Sequence, residues 1–113
     1  MERPRIFLDT KSTNSTTYVD LLRVQLSPDI KGVSYFILAI DPDPKALYRI
    51  MITRILNVID LELTAIWQVS LPHLTSGVYE GFEPNDYIIV QHKSTDPTVI
   101  VKSGVALEFN EVV

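Results

Sequence analysis

Hydrophobic and polar residues alternate most regularly in residues 61–71, LELTAIWQVSL, which contain the only tryptophan of the chain. Leu61, Leu63, Ala65, Trp67, Val69 and Leu71 fall on one side of an extended backbone. Glu62, Thr64, Gln68 and Ser70 fall on the other, with Ile66 the single exception. A period of two is that of a half-buried strand, because successive side chains point to opposite faces. The pattern predicts a central core strand with Trp67 as its largest buried side chain. Ile66 then reads as a contact with a partner or a covering segment.

The same reading predicts further strands along the chain. Residues 5–8 form a short edge strand blunted by Pro4. Residues 10–17, TKSTNSTT, bury almost nothing and are expected to be a loop or a mobile arm. Residues 18–26 alternate over their second half, after Asp20 breaks the pattern, and Ser27-Pro28-Asp29 ends them as a turn. Residues 33–40, VSYFILAI, are a near-continuous apolar run of the kind covered on both faces. Later strands are expected at 78–82, 87–92, 98–102 and 105–109. The turn Glu83-Pro84-Asn85-Asp86, the 94–97 loop and a tight Ser103-Gly104 turn would join them.

Residues 45–60 admit two readings. Asp43 before Pro44 is helix-start chemistry, and Lys45, Arg49, Thr53 and Asn57 would make one polar helical stripe. The richness in isoleucine favours a strand returning from a hairpin loop at 42–45. Strand gives an all-β sandwich or jelly-roll-like domain, the preferred fold class; helix at about 44–59 gives an α+β domain. Either way, residues 18–113 are expected to be one β-rich domain preceded by a flexible arm or edge strand over 1–17.

Composition narrows the function classes. The chain has 113 residues, 46% hydrophobic and 21% charged, which is ordinary for a globular domain. Its net charge of −4 argues against a nucleic-acid binder, whose affinity comes largely from clustered lysine and arginine. No apolar run approaches the length of a membrane-spanning helix, and the N-terminus, MERPRIFLDTK, is no secretory signal. A cytoplasmic location is therefore expected, or a virion if the source is viral. Without cysteine there are no disulfides, thiolate metal sites or cysteine nucleophiles.

Candidate chemistry is sparse. His73 and His92 lie far apart, outside any ligand-spaced cluster, and both are expected at the surface. No nucleophile elbow supports Ser76 or Ser103, and no glycine-rich phosphate loop is present. An EF-hand beginning at Asp41 fails, since Ala46 and Ile52 stand where glycine and glutamate are required. Residues 95–102, TDPTVIVK, resemble the aspartate-proline opening of a strand in C2 domains, but no companion aspartate loops accompany them. The carboxylates Glu80, Glu83 and Asp86 read as a solvated turn. No enzyme activity, cofactor or metal is expected.

Surplus hydrophobicity is the informative feature. Residues 35–40, 87–90 and 99–101 place apolar groups on both faces, whereas a two-layer sandwich has one interior. A homo-oligomer is expected, with Tyr35, Ile37, Ile66, Ile89 and Ile100 as interface candidates. A cysteine-free β-sandwich with a hydroxyl-rich arm and self-association is similar to small phage virion proteins, such as capsid-decoration, tail or baseplate components. That resemblance implies a structural role, with the arm ordered against a neighbouring subunit and a second structural protein as partner. The alternative is a carbohydrate- or peptide-binding module using Tyr79, Phe82 and Tyr87.

Overall fold

In the computed structural model the described alternating segments are extended, and where their side chains are described one set of them lies between two sheets. The structure describes residues 1–53, 60–67, 73–77 and 82–113; for Phe36 and for residues 60–67 and 73–77 it describes the backbone. The strands are β1 Glu2–Thr13, β2 Val19–Gln25, β3 Gly32–Asp41, β4 Ala46–Thr53, β5 Asp60–Trp67, β6 His73–Gly77, β7 Tyr87–Ser94 and β8 Val101–Val112. They form two four-stranded sheets, ordered β1-β8-β3-β6 and β2-β7-β4-β5. All described pairings are antiparallel. Apart from β4 to β5, every step along the chain crosses from one sheet to the other. This interleaved order is that of a jelly roll, in which two Greek keys close over one core.

The all-β reading holds, and residues 46–53 are strand. Ala46, Tyr48, Ile50 and Ile52 all belong to the core, the period of two that a helix would scatter. Asp43 keeps its capping chemistry but closes a loop. Its Oδ1 accepts from the Lys45 amide at 2.9 Å and its carbonyl from the Ala46 amide at 3.0 Å. That loop is no hairpin, because β3 and β4 lie in different sheets.

Several expectations are corrected. β5 pairs with β4 alone among the described strands, so it stands at a sheet edge, and the central strands are β8, β3, β7 and β4. The side chains of Trp67 and Ile66, the remainder of the 61–71 stretch, the distal part of 45–60 and residues 78–81 lie outside what the structure describes. β8 runs unbroken through Ser103 and Gly104. Gly104 serves close packing there, since a Cβ would sit 3.3 Å from the Cβ of Asp41 on the neighbouring strand. Residues 10–13 extend β1 along β8. The break at Asp20 is a register shift between Asp20 and Leu22, which buries Leu21 and Leu22 together.

Between the sheets, Tyr48, Phe109, Leu21, Leu26, Leu38, Ile40, Ile52 and Leu107 are fully buried. A polar relay crosses this core. The Asp43 amide donates to the Tyr48 hydroxyl at 2.8 Å, Tyr48 lies 2.6 Å from Ser103 Oγ, and Ser103 lies 3.0 Å from His92 Nδ1. The order that satisfies every group has Tyr48 donating to Ser103 and Ser103 donating to a neutral imidazole. Burial, with a smaller contribution from Lys11, lowers the His92 pKa and keeps the ring neutral. His92 is therefore an internal residue, and the Ser103–His92 contact ties one sheet to the other with no access for a substrate.

Ser103→Ala leaves the imidazole nitrogen and the tyrosine hydroxyl short of a partner at a buried site. Denaturant titration should show a loss of about 1–3 kcal/mol; a change within experimental error would mean the relay contributes nothing.

Candidate interaction surface

The outward face of the β1-β8-β3-β6 sheet follows from register. Opposite one another across β1, β8 and β3 stand Pro4, Asn110 and Tyr35; then Ile6, Glu108 and Ile37; then Leu8, Ala106 and Ala39; then Thr10, Gly104 and Asp41. A register shift between Val33 and Tyr35 turns Tyr35 outward while Val33 stays in the core, and Asn110 Nδ2 donates to Ser34 Oγ at 2.7 Å beside it. Small residues in the middle and larger ones on the flanking strand leave a shallow groove of about 710 Å³, with Ala39, Gly104 and Ala106 on its floor. Leu8 forms its apolar wall on β1 and is 75% exposed; Ile6, two residues before it on the same outward face, is 65% exposed. Asp9, Thr10 and Asp41 make its polar end.

β1 is fastened in place by a buried carboxylate. Glu111 on β8 is 0% exposed. Its Oε2 accepts from the Ser27 amide at 2.8 Å and its Oε1 from the Ser27 hydroxyl at 2.9 Å. Arg3 Nε, at 3.2 Å, and Arg5 Nη1, at 3.5 Å, approach it from β1. Arg3 also reaches Asp29 at 2.7 Å, and Arg5 donates to the Gln25 carbonyl at 3.0 Å while stacking 5.0 Å above the Phe7 ring. Burial alone would raise the Glu111 pKa; the two Ser27 bonds and the arginines more than offset it and hold the carboxyl below its ordinary range. One charged group thereby joins β1, β8 and the β2–β3 connection.

The opposite sheet carries a different outward face. Arg49 donates to Gln91, Gln91 to Asp20, and Arg23 to Asp20, in one line across β4, β7 and β2. Arg49 and Lys93 lie 4.4 and 4.6 Å from the Tyr18 ring centre. Burial raises the Asp20 pKa, but the bonds from Gln91 and Arg23 win and leave it lowered. These are self-satisfied polar contacts.

Of the interface candidates, Tyr35 and Ile37 share the grooved face with Ile6 and Leu8. Ile100 is 70% exposed in the β7–β8 loop, Ile89 is buried on the other sheet, and the Ile66 side chain lies outside the described residues. Of the ligand candidates, Phe82 is 6% exposed within the core cluster, Tyr87 is half-buried beneath Arg23, and Tyr79 lies outside the described residues. Ile6, Leu8 and Glu111 were missed. Their signal was present as the period-two run from Arg3 to Asp9, facing a C-terminal run with its glutamate on the apolar side.

Among the described residues no group of histidine and carboxylate side chains is arranged to hold a metal, and no helix is long and apolar enough to cross a membrane. No protein-family model matches the chain, and no curated protein matches its sequence.

Glu111→Gln should cost about 1–3 kcal/mol of stability at neutral pH. Because folding depresses its pKa, the glutamate's contribution is complete above the unfolded value of about 4.3 and disappears as pH falls through the lower folded value. The acid limb of the stability curve should therefore flatten in the variant; an unchanged limb would assign acid unfolding to other carboxylates.

Proposed function

We propose that this protein is a non-catalytic structural module that acts by assembling, with itself and with another structural protein, as a virion component of the capsid-decoration, tail or baseplate kind. The observation that carries the reading is the solvent-open apolar pair Ile6 and Leu8 on the outward face that also carries Ala39 and Ala106. Exposed contiguous apolar area on a soluble β-sheet is characteristic of contact surfaces. The jelly roll supports the reading without deciding it, because the same architecture builds viral capsid proteins and sugar-binding domains. The acidic net charge of −4 favours protein partners over nucleic acid.

The competing reading is a carbohydrate- or peptide-binding module. Tyr35, 36% exposed on the same outward face as the groove, is its best support. Multi-angle light scattering at micromolar concentration should return a discrete oligomer, and a glycan array should return no ligand. A dispersed monomer that binds a sugar would replace the assembly reading with its competitor.

A further inference from the structure

The free edge of β1 carries its own complement. Met1 and Val113 exchange backbone bonds, with the Val113 amide donating to the Met1 carbonyl at 2.8 Å and the reverse bond at 3.2 Å. The β1–β8 register then runs without a shift from Glu2 opposite Val112 to Thr13 opposite Val101. In an antiparallel ladder the bonding direction alternates residue by residue. Odd-numbered residues of β1 therefore bond β8, and even-numbered ones turn their N–H and C=O groups to the open edge. The partner strand agrees: Val112, an even-numbered residue of β8, accepts from Lys31 on the β3 side.

Two even positions on that edge are blunted. Pro4 has no N–H, and the Thr10 amide is taken by Asp9 Oδ1 at 2.8 Å. Between them Ile6 and Leu8 present donors and acceptors that nothing among the described residues engages. The geometry points to a second copy of this chain as the occupant, with β1 pairing antiparallel to its own symmetry mate about a two-fold axis at Phe7. This proposal rests on the self-association reading above and names its surface.

Register singles out that axis. With Phe7 opposite itself, Ile6 faces Leu8 of the mate, so all their free N–H and C=O groups pair. Glu2 faces Ser12, and the two blunted positions, Pro4 and Thr10, face each other. Moving the axis to Ile6 sets the Leu8 carbonyl against Pro4, which has no donor. Moving it to Leu8 sets the Ile6 carbonyl against the amide that Asp9 already holds, and brings Arg5 against Lys11. The Phe7 axis instead sets Arg5 against Asp9 twice, cross-strand neighbours of opposite charge. The bonds Arg5 makes among the described residues use Nη1, leaving its other donors for the Asp9 carboxylate, whose Oδ2 it would share with Lys11. Arg3 faces Lys11 at the ends, but each is held by a carboxylate of its own copy, Asp29 and Asp9. On the outward face Ile6 and Leu8 of both copies close into one apolar cluster, and two four-stranded sheets become one continuous sheet.

Light scattering on the wild-type protein and on Leu8→Lys tests the surface, because Leu8 is too exposed for its loss to unfold the chain. The lysine should weaken association on the order of tenfold or more. The chain has no cysteine, so single-cysteine variants report the register cleanly under mild oxidation. Phe7→Cys alone should form a disulfide dimer, whereas Ile6→Cys and Leu8→Cys should cross-link only when mixed. That mixed pair supplies the answer if loss of the Phe7 ring from its stack on Phe109 prevents folding. An oligomer that survives Leu8→Lys, or a register in which Ile6→Cys or Leu8→Cys cross-links with itself, would overturn the β1 pairing and leave self-association standing. A wild-type monomer at every concentration would sink both.

Discussion

A carboxylate with no solvent must be paired or neutral, and Glu111 is paired from three directions. Taking a charge out of water costs several kcal/mol, which charge-assisted contacts offset. Arg3 and Arg5 supply those from β1, and Ser27 supplies them from the connection leaving β2. The consequence is positional: a strand that could fray at a sheet edge is fixed along twelve residues of β8. Its outward groups are then set in a definite row. The groove wall, the blunted positions and the free stretch between them all depend on that anchoring.

The polar relay through Tyr48, Ser103 and His92 does the corresponding work between the sheets. Apolar packing holds two layers together but tolerates sliding, whereas a chain of hydrogen bonds in a dry core fixes one alignment. The relay begins at Asp43, whose carboxylate also accepts from the Lys102 amide at 3.2 Å. A loop between the sheets, the core and the start of β8 are thus linked by successive bonds. The protein is organised by a few satisfied polar groups placed among ordinary aliphatic packing.

Much of the fold was legible in the sequence because period two survives without knowledge of partners. Leu22, Val24 and Leu26, or Ala46, Tyr48, Ile50 and Ile52, announce an inward face wherever the strand ends up. Asp20 marked a bulge by breaking its pattern, and the mark was physical. What stayed illegible depends on long-range pairing. The 61–71 stretch alternates most cleanly of all, yet its strand lies at an edge, because alternation reports one wet face and says nothing of order within a sheet. Gly104 resembles turn chemistry but serves close approach to Asp41. Asp43 wears the same side-chain chemistry in a helix cap and in a loop. His92 looked like a surface residue and Glu111 carried no signal of its own because their partners lie elsewhere in the chain, and Ile6 and Leu8 looked like a short edge strand until β8 gave them a direction.

The most direct test of an anchored β1 with a complementary open edge is amide hydrogen exchange across a dilution series. Phe7 and Arg5 bond β8, so their amides should be protected at every concentration. Ile6 and Leu8 face the edge, so theirs should exchange quickly in the dilute monomer and become protected as the protein associates. Protection of Ile6 and Leu8 that never varies with concentration, or rapid exchange at Phe7 and Arg5 throughout, would contradict the account.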